Sequence, residues 1–306
     1  MDAVRRIADA VLYEGYVLWP YRRSALKNQQ RFTFGGVYPR AHSERHPDDP
    51  WRMRTQCLVE GEAPEVDVRV RFLQVVERQV LNGRREPVDE LMVDSERHLT
   101  WQEAIERELE PGRFEIVAGS EEEGLRVGAL VRSWQGLAGT VAVRREPLAS
   151  GLARVTVDVE NTTPFQGGSR ETALERTLCS THTVLRVTGG AFVSLTDPPE
   201  QLRDAAASCR NEATWPVLVG EPGSRDTLLS SPIILEDHPR IAPESPGDLF
   251  DGGEIDALLT LNILALTDEE KAEMRATDPR AREILERTEK LSEEELMRLH
   301  GFRVAR

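Results

Sequence analysis

The sequence predicts an α+β fold, mainly antiparallel β arranged as a sandwich or curved sheet, with a C-terminal helical appendage. Three observations predict it. Apolar and polar residues alternate in short runs through the middle of the chain, as in Val66-Val68-Val70-Phe72 and Ala153-Val155-Val157-Val159, with glycine-rich turns between them. Helix-capping patterns recur after Glu254. Between these regions lies a stretch with Pro239, Pro243, Pro246, Gly247, Gly252 and Gly253, too rich in breakers for regular structure from Arg240 to Gly253. The expected organisation is an N-terminal helix and aromatic segment packed on the body (1–50), a β-rich body with interspersed helices (51–235), a proline-, glycine- and acid-rich loop (236–253) and a helical tail (254–306).

In chain order, Val4, Ile7, Ala8, Val11 and Leu12 fall on one face of an amphipathic helix. All four tyrosines follow within a short span, at Tyr13, Tyr16, Tyr21 and Tyr38, with Trp19, and Arg22 among the basic residues. Aromatics and arginine favour interface cores, so this span is either a docking surface or a segment wrapped on the body. Residues 51–60 and 66–72 are expected strands, and a shift of phase at Leu73 and Val75 suggests a bulge in the second. Thr100 and Glu103 form a capping-box pattern, which predicts a helix with Trp101, Ala104, Ile105 and Leu109 as its apolar stripe.

Further strands are expected around Phe114 and Ile116, from Leu125 to Val131, at Val141 and Val143, and from Ala153 to Val159, with residues 119–124 as an exposed turn. A short helix is expected from Arg170 to Leu178. HTVLRV and AFVSL around Gly189-Gly190 read as a hairpin. Asp197 and Pro198 should open a helix with Leu202, Ala205, Ala206 and Cys209 on one side. WPVLVG should be a strand, and Ile233-Ile234-Leu235 suits a buried one. Beyond Gly253, Ile255, Leu258, Leu259 and Leu266 fit a helical face. Thr267 with Glu270, Asp278 with Pro279, and Ser292 with Glu295 mark three further helix starts.

Composition narrows the function. Of 306 residues 30% are charged and the net charge is −14, which argues against nucleic acid and anionic membrane as partners. No apolar run reaches the ~18 residues that span a bilayer. Three scattered cysteines do not suggest a disulfide framework, and the first residues lack a signal-peptide pattern, so the expected compartment is the cytoplasm. Phosphate-loop, dinucleotide, nucleophile-elbow, HExxH and CxxC patterns are missing, so catalytic residues stay unknown and the reading favours binding over catalysis. Cys57, Cys179, His182 and Cys209 could in principle supply a zinc-like sphere. If 179–182 is extended, however, Cys179 and His182 point to opposite faces, so buried structural cysteines are preferred and no cofactor is expected. The acidic run Glu236, Asp237, Glu244, Asp248, Asp251, Glu254 and Asp256 around His238 lacks the EF-hand pattern. It reads as a partner-binding loop or as a loop covering a sheet edge.

Several segments resemble a family encoded beside actinobacterial-type [NiFe]-hydrogenase genes. They are YEGYVLWPYRRSALKN, MRTQCLVEG, FVSLTDPP, CRNEATWPVLVG, SSPIILEDHPRIAPESPGDLFDGGEIDALLTL and LTDEEKAEMRATDPRAREILERTE, which together run through most of the chain. The resemblance implies an accessory role in assembling, stabilising or maturing a hydrogenase, with a hydrogenase subunit or maturation protein as partner. It carries no catalytic or metal-binding residues with it. On this reading the partner-binding residues are Tyr13, Tyr16, Trp19, Tyr21, Arg22, Asp237, His238, Glu244, Asp248, Asp251 and Glu254. The alternatives are a metal-handling or redox maturation factor using the cysteines and His182, and a structural β-rich binding module unrelated to hydrogenase.

Overall fold

The computed structural model describes residues 3–13, 22–24, 32, 34–240 and 260–292. Two antiparallel sheets face each other. The smaller has the order β13-β1-β11-β10-β7, built from β1 (Arg52–Glu60), β7 (Gly112–Ile116), β10 (Leu137–Ala149), β11 (Leu152–Asn161) and β13 (Ala191–Val193). The larger has the order β14-β15-β12-β2-β9-β8, from β2 (Glu65–Leu81), β8 (Gly119–Gly124), β9 (Ala129–Trp134), β12 (Cys179–Thr188), β14 (Trp215–Leu218) and β15 (Thr227–Ser231). β3 (Pro87–Val88) and β6 (Trp101–Leu109) also pair with β2, and among the described residues β4 (Glu90–Val93) pairs only with β5 (Glu96–Leu99). Helix α1 (Ala3–Tyr13) lies on the larger sheet, and α2 (Arg40–Ser43), α3 (Arg170–Leu174) and α4 (Arg203–Ala207) are single turns or little more. The tail contributes α5 (Asp268–Thr277) and α6 (Pro279–Glu289), and residues 260–264 are also helical. No described helix is long and apolar enough to cross a membrane.

The long strand β2 organises the body because both of its faces are covered. Val68, Val70 and Phe72 enter the core between the sheets with Met53, Cys57, Val141, Val155, Val157, Leu185, Phe192 and Leu228. Leu73 and Val75, of the opposite parity, join Leu12, Phe32, Tyr38, Leu174 and Cys179 in a second apolar layer on the outer face. The phase shift at Leu73 and Val75 thus comes from burial on both faces, as in sheets covered on both sides. The bulge lies in β12 instead, where the pairing with β2 is interrupted between Cys179 and His182 and Ser180 has φ +51°. Val4, Ala8 and Val11 of α1 close a third cluster with Val217, Val219 and Leu229, so the predicted apolar stripe is the one that docks.

Tertiary pairing overrides four local expectations. The predicted helix after Thr100 is strand β6, paired with β2 from Leu109 opposite Val70 to Trp101 opposite Arg78. Thr100 caps nothing: its hydroxyl donates to the Val88 carbonyl and accepts from the Val80 amide. The predicted turn 119–124 is edge strand β8, and the turn falls instead between Leu125 and Gly128, whose backbones bond at 3.0 Å. The Gly189-Gly190 turn joins β12 and β13 in different sheets, so it is a crossover between layers. Ile233-Ile234-Leu235 is not a strand. β15 stops at Ser231 before Pro232, Ile233 and Leu235 pack against the α1 cluster, and Ile234 points outward at 72% exposure.

Other local signals operate as read. Thr267 and Glu270 form a complete capping box at α5, and the Asp278 side chain accepts from the Arg280 amide at the start of α6 with Pro279 in its first turn. The helix expected from Asp197 begins later, as a 3₁₀ turn at Glu200–Leu202 running into α4. Its stripe of Leu202, Ala205, Ala206 and Cys209 still packs against Leu58 and Val193. Residues 293–306, where the helix expected to start at Ser292 would run, and most of the apolar pattern from Ile255 lie outside the described residues.

Candidate interaction surface

Two of the predicted N-terminal contact residues are placed, and both are engaged within the chain. Tyr13, at the end of α1, donates its hydroxyl to Glu106 Oε1 of β6 at 2.6 Å, and the Arg280 guanidinium of α6 lies over its ring. Glu106 also receives Arg71 of β2 and Arg280, each at 3.3 Å, while Arg71 bonds Asp9 of α1 at 2.6 Å. Partial burial works against charge on Glu106, but the Tyr13 hydroxyl, Arg71 and Arg280 outweigh it and hold the carboxyl below its ordinary range. Burial, reinforced by the Glu106 hydrogen bond, pushes the Tyr13 phenol well up, so it stays a donor. Arg22 reaches Glu270 of α5 at 2.8 Å. Tyr16, Trp19 and Tyr21 lie outside the described residues.

Asp237 and His238 close a strand edge. Asp237 Oδ1 accepts from the Leu218 amide at 2.8 Å, and its Oδ2 accepts from the Ser194 hydroxyl. The His238 amide donates to the Leu218 carbonyl at 2.7 Å, with His238 held at φ +56°. Together they occupy both backbone groups of Leu218 at the end of edge strand β14, the role of a covering loop. Glu244, Asp248, Asp251 and Glu254 lie outside the described residues.

The four candidate metal ligands occupy three different layers. Cys57 is in the core between the sheets, Cys209 is in the cluster on the outer side of the smaller sheet, and Cys179 packs on the outer side of the larger one. His182 stands opposite Arg71 and Cys179 opposite Leu73. Both partners belong to the outer parity of β2, so the β12 bulge puts Cys179 and His182 on one face, contrary to the extended-strand expectation. Among the described residues no group of three or more His, Cys, Asp or Glu side chains could hold a metal ion. Burial pushes the Cys57 thiol well up, as expected of a packed hydrophobe.

Sequence reasoning missed an apolar rim at one end of the larger sheet. Trp215 opens β14 opposite Ser231, and the next residue, Pro232, packs against Gly35, where an added Cβ would fall 2.9 Å from Pro232 Cβ. The Phe34 carbonyl accepts from the Ser180 amide, and the Gly35 carbonyl accepts from Thr181. The backbone therefore brings Phe34, Trp215 and Ile234 to the same end of the fold, with side chains 42%, 44% and 72% exposed. No family model matches the chain, and no curated protein matches it. The signals for the rim were Trp215 directly before Pro216 and the central isoleucine of the run after Pro232, both legible only once the neighbouring strands are in place.

A second missed cluster fastens the segment before β1. Tyr38, His42 and His46 stack in series, with ring centroids 5.0 and 4.4 Å apart. His42 Nε2 meets Asp49 Oδ2 at 2.8 Å, and Arg170 donates to the Tyr38 hydroxyl at 2.6 Å.

Proposed function

We propose that this protein is an accessory factor that works by protein binding in the assembly, stabilisation or maturation of a [NiFe]-hydrogenase. It acts in the cytoplasm and uses the Phe34, Trp215 and Ile234 rim as its contact. One observation supports the reading above the others. Three of the segments that resemble the hydrogenase-associated family, FVSLTDPP, CRNEATWPVLVG and SSPIILEDHP, converge on Asp237, which binds Ser194 and Leu218 from the first two. The same convergence carries two of the three exposed apolar side chains, Trp215 and Ile234. Apolar side chains gathered at one rim of an acidic protein are the usual mark of a protein contact.

The test is capture of hydrogenase subunits from the native host by the tagged chain and by its Phe34→Ser/Trp215→Ser/Ile234→Ser variant. The native chain should retain a subunit or maturation protein in stoichiometric amount, and the variant about tenfold less or lower. Equal capture by both would remove the rim from the account. Elemental analysis of the same anaerobic sample covers the metal-handling alternative: about one nickel, iron or zinc per chain would displace the binding-only reading.

A further inference from the structure

We propose that the C-terminal helical pair, α5 and α6, is an electrostatically latched arm that lifts from the body as a folded unit when its ion pairs are screened.

The pair carries its own apolar core. Ile263, Met274, Ala281 and Leu285 are fully buried and packed with Leu266 and Ile284, a cluster separate from those of the body. Its described ties to the body are polar, apart from the Arg280 guanidinium of α6 stacked over the Tyr13 ring of α1. Arg78 of β2 donates through Nη2 to the Ala276 and Thr277 carbonyls at the end of α5, both at 3.0 Å. Arg22 pairs with Glu270 at 2.8 Å, Ser24 bonds Glu273 at 2.9 and 3.1 Å, and the Arg23 amide reaches the Thr277 hydroxyl at 3.3 Å. From α6, Arg280 meets Glu106 at 3.3 Å and Arg282 meets Glu96 at 3.0 Å. Where helices and body do not touch, a cleft of about 560 Å³ opens between the β4–β5 hairpin and the two helices, lined by Met92, Glu96, Ala272 and Arg282 among others.

Several of these groups, including the buried Arg78, would keep a partner after release. Arg78 also holds Glu103 and the Leu99 carbonyl, and Glu106 also holds Arg71 and Tyr13. Arg23 keeps the Asp89 and Thr100 carbonyls through its side chain. On the arm, Glu270 keeps Thr267 and Arg282 keeps the Arg275 carbonyl. Undocking therefore strands little buried charge, and leaving a charge unpaired is the large cost in breaking such contacts. The three arm pairs, Arg22–Glu270, Arg280–Glu106 and Arg282–Glu96, are all partly exposed, the kind that salt weakens most. An arm of this kind covers Arg78 and Glu103 at low ionic strength and uncovers them at high.

The experiment measures one distance in the full chain. Nitroxides are placed at Glu115→Cys on β7 and Glu283→Cys on α6, both exposed, in a Cys209→Ser background, since Cys57 and Cys179 are fully buried. Pulsed EPR and circular dichroism are recorded at about 50 mM and about 1 M NaCl, where the screening length falls from over 10 Å to about 3 Å. A single distance at low salt, joined at high salt by a longer one with helical signal retained, is the expected result. Adding Arg280→Gln and Arg282→Gln should make the longer distance appear already at low salt. One unchanged distance at both salts overturns the latch. So does a longer distance that appears only with loss of helical signal, or one that ignores the two arginine substitutions.

Discussion

A histidine sealed beneath a helix with one ring nitrogen unmet must stay neutral. His182 is fully buried, and its Nδ1 lies 3.2 Å from the Ser180 carbonyl, which can only accept, so Nδ1 carries the proton. Nε2 has no partner among the described residues. Protonation would bury a charge and an unused donor opposite Arg71, and burial, with Arg71 adding to it, pushes the pKa down from 6.5 to about 4. The unfolded chain takes up this proton near pH 6.5 and the folded chain only near 4, so stability is full above about 6.5 and falls as pH drops through that window. The full loss is up to about 3 kcal/mol. Urea denaturation at pH 7.5 and 5.5 should show the native chain losing part of this, with the loss reduced in His182→Gln. An equal pH response in both chains would place the sensitivity elsewhere. The thiols follow the same burial rule. Alkylation of the native chain at pH 8 should reach Cys209, which is half-buried, and spare Cys57 and Cys179 until the chain is unfolded.

Elements were legible where the local signal and the tertiary partner agree. The caps at Thr267 and Asp278 and the stripe on α1 depend on residues a turn apart, and each formed as read. β6 failed because its nine residues are decided by β2, whose Arg78 and Arg71 give Glu103 and Glu106 a use that a helix would not. β8 failed because an acidic edge strand looks like a solvated turn until Arg85 and Arg132 take up Glu122 and Glu123. The rim was hidden for the same reason: Phe34, Trp215 and Ile234 are brought together by pairings that the sequence does not spell out. Glycine 139 shows how specific such pairings are. It stands opposite Phe114 in the smaller sheet, and a Cβ there would lie 2.5 Å from the Phe114 ring and closer still to the Glu160 carbonyl oxygen. Gly139→Ala must push the ring or the strand aside, at a cost of about 1–3 kcal/mol. A midpoint shift in thermal or urea unfolding checks it, and an unshifted midpoint would mean that the strand yields freely.

Across the whole molecule, apolar material is divided between a core inside the sandwich and a layer outside it, with β2 and β12 feeding both. A sandwich whose larger sheet had one solvated face would not need α1. Here Leu73, Val75, Val217, Val219 and Leu229 face outward and are almost wholly buried, so the N-terminal helix and the segment around Tyr38 complete the fold. Leu12 and Phe72 probe the two layers, one on α1 and one between the sheets, and neither has any exposure. If the layers form one cooperative unit, Leu12→Ala and Phe72→Ala should lower a single transition seen alike by far-ultraviolet circular dichroism and tryptophan fluorescence. The expected costs are about 2–5 and about 3–5 kcal/mol. A Leu12→Ala chain that keeps the native midpoint would show that α1 rests on the sheet without helping to hold it. The same layer anchors the rim, because the Phe34 backbone is tied to Ser180, whose side chain bonds Val11 of α1.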